Sequence, residues 1–131
     1  MIDRRQILKS AAALSLVGVV APVAATESAN YSAAAFEAAK GEGRPILIAI
    51  HASWCPTCRA QAPILSAIEK DPKYSKLLAL TVDFDAQADV VRAFGARQQS
   101  TLIAFHGATE TGRSVGDTNA DSIAALVAHT L

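Results

Sequence analysis

The chain has 131 residues, 51% of them hydrophobic and 18% charged, a balance suited to one folded domain rather than two. Its 12 basic and 12 acidic side chains cancel, so nothing suggests the basic face or stripe that a nucleic-acid partner requires.

The first 25 residues read as a signal peptide outside the fold. Arg4, Arg5 and Lys9 make a positive start, Ala11 to Ala21 an apolar run, and Val23-Ala24-Ala25 a small-residue cleavage site. The run is shorter than the roughly 20 residues of a membrane span, which favours cleavage after Ala25 over an anchor. Arg4-Arg5-Gln6-Ile7-Leu8-Lys9 also resembles a twin-arginine signal, with Ile7 where Phe is commoner and Asp3 where Ser or Thr is usual. Either export route leads to a bacterial envelope compartment, the periplasm being the expected location. The expected domain, 26–131, loses three basic residues and one acidic residue with the signal and becomes slightly acidic.

Ser32 to Lys40 reads as a short helix capped by Ser32 and broken by Gly41-Glu42-Gly43. Ile46 to Ile50 is a continuous apolar run, as in a strand covered on both faces. From Pro56 the pattern turns helical, with Ile64, Leu65 and Ile68 on one side and Pro63 set to kink it. Asp71-Pro72 ends this helix. Leu77 to Phe84 reads as a second buried strand, and Ala88 to Phe94 as a helix closed by Gly95. Thr101 to Phe105 is a third strand, Arg113 to Val115 a short fourth, and the last helix starts near Asn119 or Asp121. The order predicts an α/β fold: a mixed four-stranded sheet with helices on both faces.

The two cysteines, Cys55 and Cys58, are separated by two residues. Cys55 falls where an apolar strand hands over to a helix, and Pro56 occupies the first helical position, where a missing N–H costs nothing. Unpaired amides and the helix dipole there favour a thiolate, the nucleophilic form. Cys58, one turn on, can resolve a mixed disulfide formed at Cys55. Cys55 is therefore expected to be the exposed nucleophile and Cys58 the shielded resolving thiol. A structural disulfide closing so small a loop would add little stability by chain entropy.

With Trp54-Cys55-Pro56-Thr57-Cys58 placed between strand and helix, the chain resembles the thioredoxin superfamily. Ala52-Ser53-Trp54-Cys55 is similar to the family's approach to its active site, Ala62-Pro63-Ile64-Leu65 to the kinked helix, Val82-Asp83-Phe84-Asp85 to the end of the next strand, and Val115-Gly116 to the segment before the last helix. The resemblance implies a thioredoxin-like fold lacking the family's first strand, because few residues precede Ser32. It implies a protein disulfide oxidoreductase acting on protein thiols or disulfides.

Three positions depart from the family. Ala49 stands where a buried Asp helps move the resolving cysteine's proton, and Thr81 where a Lys partners that Asp. Losing both leaves neither charge buried alone. Ser100 stands at the position of the family's cis-proline. A cis bond before a non-proline residue costs about 2.5–4 kcal/mol, so the Gln99–Ser100 bond is expected to be trans. Ser100 also brings a hydroxyl and an N–H expected near the sulfurs, and restoring proline is expected to alter substrate handling with little change in fold.

Around the pair, Trp54 is expected at the rim, Pro56 and Thr57 as tuning residues, and Ser100 in the substrate groove. His51, four residues before Cys55, could carry a proton or a favourable charge, but packing beside the site is the preferred reading. Arg59 is expected in solvent, His106 and His129 away from the cysteines, and Asp83 and Asp85 as turn residues. Resemblance to thioredoxin favours a reductant fed by a membrane electron donor, acting as a monomer, with no cofactor. The competing reading is a copper- or zinc-binding metallochaperone-like module using the same cysteines with His51, short of a closed four-ligand site.

Overall fold

The computed structural model describes residues 17–19 and 26–131. The expected signal features and cleavage point therefore lie outside the described residues, apart from 17–19. No described helix is long and apolar enough to cross a membrane.

Ten elements follow Thr26. They are β1 (Glu27–Asn30), α1 (Ala33–Gly41), β2 (Pro45–His51), α2 (Pro56–Glu69), a 3-10 turn (Pro72–Tyr74), β3 (Leu78–Asp83), α3 (Ala88–Ala93), β4 (Thr101–His106), β5 (Thr109–Val115) and α4 (Ala120–Ala128). The sheet runs β1-β3-β2-β4-β5. Strands β1, β3 and β2 are parallel, as helical crossovers require, and β4 and β5 are antiparallel additions joined by a hairpin.

Two expectations are corrected. The sheet has five strands rather than four, because the family's first strand is present as β1. Its four residues are all exposed, so no apolar alternation announces it. Backbone pairing to β3 holds it, with Glu27 donating to Leu77 O at 3.0 Å and Tyr31 to Thr81 O at 2.8 Å. The last strand is also longer than expected: β5 extends back to Thr109 through polar edge residues.

Local chemistry sets the helix ends. Ser32 Oγ accepts the Ala35 amide at 3.1 Å at the start of α1, and Asn119 Oδ1 accepts the Ser122 amide at 2.9 Å at the start of α4. Past α3, Gly95 turns the chain at φ +66, a conformation glycine adopts without a Cβ clash.

Alternate residues of the central strands feed two cores. Ile46, Ile48, Ile50, Leu78, Leu80 and Val82 pack under α1 and α3 beside the edge-on rings of Phe36, Phe94 and Phe105. On the opposite face Leu47, Leu102 and Ala104 pack under α2 and α4 with Ile123, Leu126 and Val127, and Ile64, Leu65 and Ile68 close its rim. Helices therefore cover both faces, and the C-terminal end of β2 is pinned in the middle of the sheet. That end carries the site.

Candidate active site

Strand β2 ends at His51, and the chain turns through Ala52, whose carbonyl accepts the Cys55 amide at 3.1 Å. Cys55 is the N-cap of α2 in extended conformation, with Pro56 in the first turn. Its sulfur takes the place of a capping oxygen and accepts the Cys58 amide at 3.1 Å. The expected donor environment for the Cys55 sulfur is thus realised by a specific N–H. Cys55 and Cys58 are disulfide-bonded, with Cα atoms 5.3 Å apart.

The expected contrast in exposure does not hold. Cys55 is 1% exposed and Cys58 3%; they cluster with Ala52, and Phe84 packs against this cluster. Phe84 follows β3 and lies edge-on to Trp54, with ring centroids 6.4 Å apart. Trp54, half exposed as a rim residue should be, donates its indole N–H to Asp85 Oδ2 at 2.8 Å. Phe84 thus packs on the cysteine cluster and Trp54 packs on Phe84, a burial that the position of Cys55 at a helix start does not reveal. Asp83 Oδ1 accepts the amides of Asp85 and Ala86 at 2.9 and 2.8 Å, a turn-forming role. Asp85 has a further role that sequence reasoning missed, as the anchor of Trp54.

Ser100 precedes β4 in the turn beside the pair. No cis peptide bond occurs among the described residues, so the Gln99–Ser100 bond is trans, and Ser100 adopts φ +61. For a residue with a Cβ this left-handed conformation is sparsely populated. Three hydrogen bonds impose it: the Ser100 amide donates to Ile50 O at 2.7 Å, while its carbonyl accepts Gly116 N at 3.0 Å and Gln61 Nε2 at 3.2 Å. Its hydroxyl turns back to Gln99 O. The N–H and hydroxyl that Ser100 brings to the site are both spent on the protein's own carbonyls. Restoring proline would require this turn to change. Proline has no N–H for Ile50 and holds φ near −65°.

Gln61, one turn beyond Cys58, is buried at 3% exposure. Its amide donates to Ser100 O and, at 2.8 Å, to Asp117 O, tying α2 to both loops at the site. A glutamine in mid-helix reads as solvent-facing from sequence, and no pattern marked this one.

Ala49 and Thr81 are partners across β2 and β3 and line a cavity of about 190 Å³ beneath α2. Cys58, His51, Ser66 and Glu69 also border it. Burial raises the Glu69 carboxyl above the usual carboxylate range, opposed by a hydrogen bond with Ser28. Pro56 and Arg59 are exposed and Thr57 half-buried. His106 Nδ1 lies 2.9 Å from Thr130 O at the far end of β4, and His129 caps the end of α4. Among the described residues no three His, Cys, Asp or Glu side chains gather as metal ligands, so His51 does not complete a site with the sulfurs.

Comparison with known proteins agrees with this geometry. Residues 23–129 match the thioredoxin family. The chain is 34% identical to thioredoxin of Chlamydia muridarum over 82 residues, 63% of this chain and 78% of that one. It is 33% identical to thioredoxin H4 of Arabidopsis thaliana over 93 residues, 70% of this chain and 76% of that one. The crystal structure of Trxlp from Edwardsiella tarda superposes with a TM-score of 0.75 at 34% identity, covering 77% of this chain and 98% of that one. The family match spans every described strand and helix of the domain, and the chain belongs to the thioredoxin family of thiol–disulfide oxidoreductases.

Proposed function

We propose that this protein is an exported reductant of protein disulfides, working through attack by Cys55 and resolution by Cys58. The observation that carries the assignment of roles is the Cys58 amide donating to the Cys55 sulfur at 3.1 Å. A negative charge on that sulfur gains a hydrogen bond and the positive end of α2, whereas Cys58 lies within the helix and gains neither. Trp54, Pro56, Thr57 and Ser100 shape the surface around the pair. Phe84 packs against the buried cysteine pair, so a partner reaches Cys55 by displacing groups at the rim.

Export to the periplasm rests on the paired arginines, the apolar run and Val23-Ala24-Ala25, with residues 26–131 as the mature domain. In an oxidising compartment a reductant must be recharged, which calls for a membrane electron donor reaching the same disulfide. A monomer suffices, because both sulfurs and their surroundings come from one chain. The test is an equilibrium titration of the pair in glutathione buffers. A midpoint more negative than about −230 mV supports reduction, and one less negative than about −150 mV would instead make the protein an oxidant.

A further inference from the structure

In the resolving step Cys58 must lose a proton, and burial at 3% exposure opposes formation of its thiolate. On α2 the charged neighbour of Cys58, Arg59, is exposed to solvent. The cavity beneath α2 offers a route instead. Its floor is Ala49 and Thr81, side chains too small to fill it, and Cys58 borders it at the active-site end. At about 190 Å³ it has room for several waters, with the Thr81 and Ser66 hydroxyls as polar partners.

Two titratable side chains border this cavity with Cys58: Glu69 and His51. Glu69 is three helical turns along α2, about 16 Å in rise from Cys58. His51 is far closer, directly following Ile50, whose carbonyl oxygen lies 4.0 Å from the Cys58 sulfur. It shares the sheet face of Ala49, two residues earlier, and therefore points to the α2 side. Asp83, its partner on β3, is committed to the amides of Asp85 and Ala86. On β1, Ser28 and Asn30 pair beside Ala79 and Thr81 and carry no charge; on β4 the neighbour of Ile50 is Thr101. A second cavity of about 350 Å³, bordered by Thr81, Asp83 and Asn30, also meets His51.

We propose that His51 is the proton acceptor for Cys58, exchanging its proton through water in the cavity beneath α2. The inference rests on the cysteine roles assigned above. In the mixed disulfide, Cys58 S–H gives its proton by way of water to the His51 imidazole. The Cys58 thiolate then attacks the Cys55 sulfur, the Cys55–Cys58 bond forms, and the Cys55–substrate bond breaks with its electron pair leaving on the substrate sulfur. The imidazolium returns its proton to solvent through the second cavity or to the departing thiolate. Reduction of the disulfide runs the same path backwards.

Reacting the reduced full chain with one equivalent of 5,5′-dithiobis(2-nitrobenzoate) separates the steps. Attack by Cys55 releases a first thionitrobenzoate, and resolution by Cys58 releases the second. His51→Gln is expected to slow the second phase about tenfold or more at neutral pH and leave the first within about twofold. The pH profile of its second phase should also differ in shape from that of wild type. Ala49→Leu, which fills the cavity while leaving His51 in place, is expected to slow the second phase likewise, and it carries the test if His51→Gln does not fold. Glu69→Gln should change neither phase. An unchanged second phase in His51→Gln, a parallel slowing of both phases, or a slowing by Glu69→Gln instead would each overturn the assignment. Failure of the cysteine reading looks different: wild type would then release a single equivalent, as Cys58→Ser should.

Discussion

The amide of Ser100 donates to the Ile50 carbonyl at 2.7 Å, and the Cys58 sulfur lies 4.0 Å from the same oxygen. One acceptor at the end of β2 thus meets both the turn that precedes β4 and the second cysteine. Reducing the disulfide gives Cys58 a weak S–H donor facing an oxygen that already holds Ser100. The turn and the sulfur are consequently coupled through a single backbone atom.

Substitutions at Ser100 should separate conformation from chemistry. Ser100→Gly fits φ +61 without a Cβ and should change stability by no more than ~1 kcal/mol. Ser100→Pro cannot reach that φ and leaves the buried Ile50 carbonyl without its donor, a loss of at least ~2 kcal/mol. Urea unfolding of the two variants measures this. A proline variant as stable as wild type would show that the turn has a second conformation of equal energy.

Gln61→Leu keeps much of the side-chain volume and removes both amide donors. Asp117 O then loses a partner, and Ser100 O keeps only Gly116 N. A loss of about 1–3 kcal/mol is expected, with faster amide exchange at Gly116 and Ser122. Exchange rates matching wild type at both positions would remove Gln61 as the tie between α2 and these loops.

Trp54 is the single tryptophan, so its fluorescence reports its own environment. Asp85→Ala removes the acceptor of the indole N–H and should make Trp54 more accessible to acrylamide, with a stability change below about 1 kcal/mol at this exposed site. With the rim loosened, the disulfide should be reduced faster by small thiols. Unaltered quenching would mean that stacking on Phe84 alone holds the ring.

Two carboxyls carry opposite pH signatures. Asp117 is held below the usual range, first by the Ser122 hydroxyl and then by the Asn119 amide. Its contribution is present above the unfolded-state pKa and is lost as pH falls through the lower folded value. Acidification should therefore loosen the start of α4, read from the Asn119 and Ser122 amide shifts, and Asp117→Asn should abolish that response. Glu69 is raised by burial, so its contribution is complete below the unfolded-state pKa and disappears as pH rises through the higher folded value. Glu69→Gln should flatten that decline.

Much of this was legible in the residues. A continuous apolar run at 46–50 and a mostly apolar one at 77–84 marked β2 and β3, and cysteine-proline at a strand-to-helix handover marked the site. What escaped depends on partners distant in sequence. Glu27-Ser28-Ala29-Asn30 is a strand only because β3 offers it an edge. Gln61 is buried because the carbonyls of Ser100 and Asp117 converge on it. Ser100 is left-handed without being Gly or Asn, the residues that signal such a turn. His51 illustrates the same limit. Packing was its preferred reading, and only the space left by Ala49 and Thr81 relates it to Cys58.

The central claim, that Cys55 attacks and Cys58 resolves, is tested most directly by trapping. Incubated with a disulfide-containing protein such as insulin, the reduced Cys58→Ser chain should accumulate a covalent adduct through Cys55 that dithiothreitol releases. Cys55→Ser should form none. An adduct that forms through Cys58 in Cys55→Ser, and not through Cys55 in Cys58→Ser, would contradict the account.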